Sequence, residues 1–267
     1  MMRKLNKKWV NGSVVSATLS LVVGLTVPSA VMADEADAKR LIKAMSDHLV
    51  AQKVLSFDYD SSLEVVTTEG QKLSLASSGL VQLNRPDKIH ATRVGGFVNI
   101  ESFFDGKVLT LFGKNINAYT QVAEPGTLDN LLNALRTEYG RPIPGGNFLL
   151  SNPVGTMMLG VTDIKDLGTG VIGGVECDHL AFRQEQVDWQ IWIAHGESPY
   201  PCKYSVTTHE LKRSPQYTIR FSNWQSGDTM AATNFSFKNS TGAEKVKLTN
   251  LKGTGDLPPH FTMGETK

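Results

Sequence analysis

Three side chains with the types and spacing for acid–base chemistry are Arg183, Asp188 and His209. Strand alternation predicts that Arg183 and Asp188 face each other in a hairpin and that His209, one strand further on, lies beside them. A carboxylate between a guanidinium and an imidazole can relay a proton. Such a row is more often a solvated cross-strand ladder, so a hydrolase built on it ranks behind non-catalytic functions.

Asp178 and His179 form a second candidate acid–base pair, although His179 is predicted to pack against Trp192. The chain contains no G-x-S-x-G, P-loop or H-E-x-x-H motif. The sequence therefore predicts no catalytic residue, no metal and no cofactor. The histidines, which lack the paired spacing of metal ligands, are His48, His90, His179, His195, His209 and His260.

The segment GTGVIG at 168–173 matches the dinucleotide-binding fingerprint G-x-G-x-x-G letter for letter. That motif binds a pyrophosphate only where a strand turns into a helix. Here the two-residue alternation of a strand resumes at Val175, so the segment is predicted to be a hairpin with glycines in its turn. Nucleotide binding is therefore not predicted.

The candidate side chains are positioned by a predicted meander of three antiparallel strands over 175–210. A four-residue loop at 184–187 sorts the side chains onto one apolar and one polar face. Because a slip of one residue would invert every side chain, this sorting fixes the register. The predicted pairs are Phe182–Trp189, Leu180–Ile191 and Asp178–Ile193 on the apolar face, and Arg183–Asp188, Ala181–Gln190 and His179–Trp192 on the polar face.

The order of the remaining elements indicates a mainly β protein with a helical lid. A helix of about four turns is predicted at the start of the mature chain, and strands follow up to residue 121. Thr127 to Gly140 is predicted to be a second helix, and a Pro- and Gly-rich connection leads to a short helix capped by Asn152. Strands then resume and continue to Phe237. No βα alternation occurs, which disfavours a doubly wound sheet.

Cys177 and Cys202 are the two cysteines of the chain. An oxidising periplasm would permit a disulfide between them. In the register above, however, they lie two strands apart, which is roughly 10 Å, whereas a disulfide requires Cα atoms within about 7 Å. The sequence therefore disfavours the bridge without excluding it.

Residues 1–33 are typical of a cleavable secretory signal peptide. A basic start precedes a short apolar core at 14–27, and Val31-Met32-Ala33 offers small residues to a signal peptidase, so we expect cleavage after Ala33. We expect no integral membrane span in the mature chain. Cleavage leaves 23 basic against 26 acidic residues, a net charge of −3 that gives no electrostatic case for nucleic acid. The rest is predicted to form one domain, 34–250, and a loosely ordered tail, 251–267.

Five segments of the chain are distinctive: NRPD at 84–87, FDGK at 104–107, AY at 118–119, CDHLAFR at 177–183 and DWQIWI at 188–193. Through them the sequence resembles an uncharacterised family of predicted periplasmic proteins within the LolA-like superfamily of outer-membrane lipoprotein carriers. This resemblance implies an unclosed antiparallel β-barrel of about eleven strands, with short helices covering its concave apolar side. It also implies a periplasmic location, in a Gram-negative bacterium.

Carriers of that superfamily hold acyl chains in the concave cavity, so the resemblance implies non-enzymatic binding of a lipid, a lipoprotein acyl chain or a similar amphiphile. Each buried methylene contributes about 0.8 kcal/mol, which would hold such a ligand without any chemistry. The alternative is an interaction module that senses envelope stress through a protein partner. For the helical leucines and methionines, an ordinary core role is the competing interpretation. The residues predicted to line the cavity are Leu131, Leu135, Met157, Met158, Leu180, Phe182, Trp189, Ile191, Ile193, Tyr204, Phe221, Phe235 and Phe237.

Overall fold

The computed structural model describes residues 35–140, 143, 145–227 and 234–251, all of which lie in one compact unit. The predicted signal peptide lies outside the described residues, as does the predicted tail beyond Leu251. Signal cleavage and the domain limits therefore stay predictions.

The fold is built on one large sheet, which contains twelve strands within the described ranges. Its longest strands, the first two of the chain, are 13 residues each and pair along their whole length. In chain order the strands are β1 (Val54–Val66), β2 (Lys72–Asn84), β3 (Lys88–Gly95), β4 (Asn99–Phe104), β5 (Val108–Gly113), β6 (Ala118–Ala123), β7 (Asp163–Ile172), β8 (Val175–Arg183), β9 (Val187–Ala194), β10 (Pro201–Thr208), β11 (Gln216–Ser226) and β12 (Glu244–Lys245).

The spatial order of the strands is β12-β6-β5-β4-β3-β2-β1-β11-β10-β9-β8-β7. Neighbours pair antiparallel, except that β12 runs parallel to β6. Because β12 and β7 stand at opposite ends of this order, the sheet is unclosed over the part of the chain that the structure describes. The predicted fold class is confirmed, with twelve strands in place of about eleven.

The register predicted for β8 and β9 is confirmed at every pair, from Cys177 opposite Ala194 to Arg183 opposite Asp188. The segment forms a β7–β8 hairpin, as predicted, with Gly168 and Gly170 inside β7 and Gly173 in the turn. Gly173 has a φ of +61°, so the turn favours glycine there, and its hydrogen also leaves room for the Arg220 guanidinium.

Three α-helices and a 3₁₀ turn at Gly146–Leu149 pack on one side of the sheet. We call this side the inner face and the opposite side the outer face. The helices begin where their caps predict, since the Thr127 side chain forms a capping box with Asn130 and Asn152 accepts a hydrogen bond from the Gly155 amide. The second helix ends earlier than predicted, before Gly140. The helices are α1 (Glu35–Ala51), α2 (Leu128–Thr137) and α3 (Pro153–Met157).

The prediction of a strand that ends at Phe237 is wrong. Residues 234–237 are not in a strand, and residue 233 lies outside the described residues. The Phe237 ring packs on the outer face, 4.8 Å from Tyr119 and 5.5 Å from Phe112. The short alternation of phenylalanine with polar residues thus reflects one side of an irregular segment lying on the sheet. The predicted place of Phe237 on the inner face is therefore also wrong, and Phe235 lies outside the strands as well.

Candidate ligand-binding site

Most residues predicted to line a cavity do lie on the inner face or on the helices that cover it. They belong to one continuous core in which each is at most 8% exposed, while Met158 is half-buried against that core. The ten buried residues are Leu131, Leu135, Met157, Leu180, Phe182, Trp189, Ile191, Ile193, Tyr204 and Phe221.

The inner face is packed by the protein's own helices and turns. Phe148, in the 3₁₀ turn, is 1% exposed and meets Tyr204 and Phe221 edge-to-face at centroid distances of 5.2 and 5.4 Å. Such edge-to-face pairs are favourable contacts beyond their buried area. A space that the sequence predicts to be hollow is therefore filled at Phe148 in this conformation. The ligand-binding role of the surrounding residues stays a prediction.

A groove with a volume of about 620 Å³ runs along the seam between α1 and the segment that contains α3. Ile42, Val154 and Met158 line it and also belong to the inner-face core or pack against it. The groove therefore joins the surface to the apolar layer beneath the helices. Its other lining residues are Lys39, Lys43, Ser46, Asp47, Val50, Ala51, Ser151 and Asn152.

The two walls of the groove are joined by few polar contacts. The Val154 amide donates to Ser46 Oγ over 3.4 Å, a long hydrogen bond from a serine that is only 3% exposed. The charged rim is solvated, since Lys43 pairs with Asp47 within α1 and both side chains are more than 60% exposed. Exposed pairs of this kind contribute little to stability. The seam is held mainly by apolar packing.

Arg85 fastens the 3₁₀ turn to the end of β2. Its Nη1 donates to the carbonyl oxygens of Leu149 at 2.6 Å and Leu150 at 3.2 Å. Burial lowers the pKa of the guanidinium, and the nearby carboxylate of Asp129 opposes that shift. Asp129 also accepts a hydrogen bond from the Ser151 amide. This cluster holds residues 146–157, which we call the lid segment, where the 3₁₀ turn leads into α3.

The end of α1 rests on the loop that joins β9 to β10. The His48 ring meets the Tyr200 ring edge-on at 4.5 Å, and Tyr200 stacks on Trp224 at 4.7 Å. Burial lowers the pKa of His48, because the charged imidazolium would lose hydration there. Burial therefore favours the neutral form of His48 at the contact that positions this end of the groove.

We expect the stability contributed by His48 to be lost as pH falls. The unfolded chain titrates at the ordinary pKa of 6.5 and the folded chain at a lower pKa. Unfolding therefore takes up a proton below pH 6.5, so this contribution is complete above that value and declines beneath it. His48→Phe keeps the ring and removes the titration. Thermal melts between about pH 7.5 and 5.5 should show a smaller loss of Tm for the variant than for the wild type; equal losses would contradict the assignment.

The structure brings the predicted polar row together on the outer face. Arg183 Nε donates to Asp188 at 2.9 Å, and His209 Nε2 lies 3.2 Å from the same carboxylate. The Arg183 guanidinium, aided by His209, holds the pKa of Asp188 below its usual range. A carboxylate with a lowered pKa, paired with an exposed arginine, has the character of a solvated cross-strand ladder.

The second predicted pair is separated in the structure. His179 stacks on Trp192 at 4.0 Å, as predicted, and Asp178 instead lies 2.7 Å from Nε2 of His195. No partner for His195 was predicted from the sequence, so this contact was missed. The groove residues Ser46 and Val154 were missed too; a serine on the apolar stripe of α1 was the one signal that could have pointed to Ser46.

Among the described residues, no group of three or more His, Cys, Asp or Glu side chains is arranged to hold a metal ion. No helix in the same part of the chain has the length and apolar character to cross a membrane.

An unclosed antiparallel sheet whose inner face is covered by short helices defines a half-barrel, the class that the resemblance to LolA-like carriers implies. The chain belongs to the family described as "Predicted periplasmic protein (DUF2092)", whose profile matches residues 38–249. The predicted family and periplasmic localisation are therefore confirmed. No curated protein matches the sequence.

Several solved structures are similar at low identity. Lipoprotein LppX from Mycobacterium tuberculosis is 14% identical, with 76% of this chain and 100% of that chain covered and a TM-score of 0.44. LprF from Mycobacterium bovis is 13% identical, with coverages of 74% and 97% and a TM-score of 0.45. The structure of the MucA/MucB complex from Pseudomonas aeruginosa is 12% identical, with 73% of this chain and 59% of that chain covered and a TM-score of 0.43.

Proposed function

We propose that this protein binds an amphiphile with a hydrocarbon chain, such as a lipid or a lipoprotein acyl chain, and does so without catalysis. The observation that carries the proposal is the α1–α3 groove, because its apolar lining continues into the inner-face core. The hydrocarbon chain enters along this seam and the polar head stays at the solvated rim near Lys39 and Lys43.

The size and chemistry of the groove support this occupant. Its volume of about 620 Å³ lies within the roughly 300–1,000 Å³ of small-molecule sites. Val50, at 37% exposure, and Leu159, at 71%, present apolar surface at or near the groove. Transfer of each methylene from water into such an environment contributes about 0.8 kcal/mol. Longer chains would push the α3 segment away from α1, to which the Val154–Ser46 contact joins it, and reach the core beneath.

The direct test is purification of the mature protein, organic extraction and mass spectrometry of the extract, together with titration of a fluorescent fatty acid. Recovery of an amphiphile and saturable uptake are expected. An extract without lipid combined with no uptake of the fluorescent fatty acid would overturn the proposal.

Val154→Asp is expected to weaken fatty-acid binding by roughly tenfold or more, since the variant places a carboxylate where the hydrocarbon chain would lie. The control is Val94→Asp, at a position that is 52% exposed on β3 and away from the groove. Fluorescence titration of both variants measures the effect. Unchanged affinity of the Val154 variant would exclude the groove as the entry site.

An interaction module is the second candidate, favoured by apolar side chains at the open edge of the sheet. Val171 is 69% exposed and Leu167 is 48% exposed on β7, which ends the strand order of the described sheet. An edge strand offers free backbone groups to an extended partner segment. If this is the function, an envelope protein should co-purify with the wild type and not with a Val171→Lys variant.

A further inference from the structure

The two cysteine sulfurs meet on the outer face of the sheet. Cys177 Sγ lies 2.7 Å from Cys202 Sγ, and the two residues are 0% and 7% exposed. The separation of roughly 10 Å expected for residues two strands apart in a regular sheet therefore does not apply to these two cysteines. The sulfurs therefore lie within reach of each other, although both cysteines are free thiols in this structure.

A β-bulge brings the sulfurs together. Pro201 pairs with Ile193 and Lys203 with Trp192, so Cys202 is an extra residue on β10 with no partner on β9. An unpaired bulge residue can turn its side chain away from the regular alternation. Between the cysteines stands the end of β9, where Ala194 faces Cys177. Its small side chain leaves room for the two sulfurs to approach across the strand end.

We propose that Cys177 and Cys202 form a disulfide that ties β8 to β10 in the oxidising periplasm. The two thiols lose two protons and two electrons. The electrons pass to the disulfide of a thiol–disulfide exchange protein, which is reduced to two thiols. Because both sulfurs are covered in the folded protein, the exchange takes place before the strands close over them.

The surroundings favour a structural bridge over a reactive thiol. Burial raises the pKa of both thiols, so neither is activated as a nucleophile in the folded chain. The bridge lies next to Tyr200, whose carbonyl is 3.9 Å from Cys202 Sγ and whose ring supports His48 at the end of α1. The disulfide thereby fixes the loop on which the C-terminal end of α1 rests.

The test uses the full chain exported to an oxidising periplasm, denatured and alkylated with and without prior reduction. In the unreduced sample, mass spectrometry should find no alkylated cysteine and should find the Cys177 and Cys202 peptides linked. After reduction, both cysteines should be alkylated. Two alkylated thiols in the unreduced sample, or a bridge between two chains, would overturn the proposal.

Stability gives a second measurement. Cys177→Ser/Cys202→Ser is expected to lower Tm by roughly 10 °C, the effect of opening a loop of this length in a chain of this size. A reductant should lower the wild-type Tm similarly and leave the double variant unchanged. If the reductant acts equally on both proteins, no bridge is present.

Discussion

Leu180→Ala will lower the free energy of unfolding by about 3 kcal/mol, the typical cost of truncating a fully buried leucine. Leu180 is 0% exposed at the centre of β8, opposite Ile191, which is also 0% exposed. The loss combines the transfer free energy of the removed atoms with the cavity left behind. Urea unfolding of the ligand-free protein, followed by tryptophan fluorescence, measures it.

This variant distinguishes a packed inner face from a hollow one. A leucine that lines an open space has few contacts to lose, and its truncation would cost much less. Val171→Ala, at a position that is 69% exposed, is the control and should change stability by no more than about 0.5 kcal/mol. A loss below about 1 kcal/mol for Leu180→Ala would mean that the inner face is not packed in solution.

The β8–β9 register could be predicted because its two faces differ in chemistry. Trp189, Ile191 and Ile193 alternate with Asp188, Gln190 and Trp192, of which Trp192 stacks on His179, and Arg183 fits only opposite Asp188. Period-two sorting with an ion pair on one face leaves a single register. Where alternation was short, as around Phe237, the same reasoning failed, because three or four residues fit an irregular segment equally well.

The contacts that fill the inner face could not be predicted from the sequence. The Pro- and Gly-rich stretch before Phe148 has the composition of a loop, and composition does not show that Phe148 folds back onto Tyr204 and Phe221. The bulge at Cys202 was hidden for a related reason, since one extra residue in β10 cannot be read from its pattern. Both features depend on tertiary packing.

The candidate groove could not be predicted from the sequence either, because its two walls are about one hundred residues apart along the chain. Ser46 and Val154 come together only when α1 and α3 pack side by side. Each helix alone reads as amphipathic, with an apolar stripe for the core. What the sequence could predict was the apolar character of the layer beneath, and that layer is what the groove leads to.

Arg85→Met is expected to lower the free energy of unfolding by about 2 kcal/mol and to speed fatty-acid uptake. The methionine keeps an apolar stem but leaves the Leu149 and Leu150 carbonyls without their charged donor, and unpaired buried acceptors cost about 1–3 kcal/mol. Because the lost contact exists only when the lid is in place, the variant favours the open lid. Every 1.4 kcal/mol raises the open population tenfold.

Stopped-flow uptake of a fluorescent fatty acid and urea unfolding provide the two measurements. Arg136→Met makes the same chemical change at an exposed position on α2 and should alter neither quantity. Slower or unchanged uptake by the Arg85 variant, alongside a clear loss of stability, would show that the ligand enters without moving the lid segment. In that case the groove itself is the complete binding site, and the core beneath it remains packed when ligand is bound.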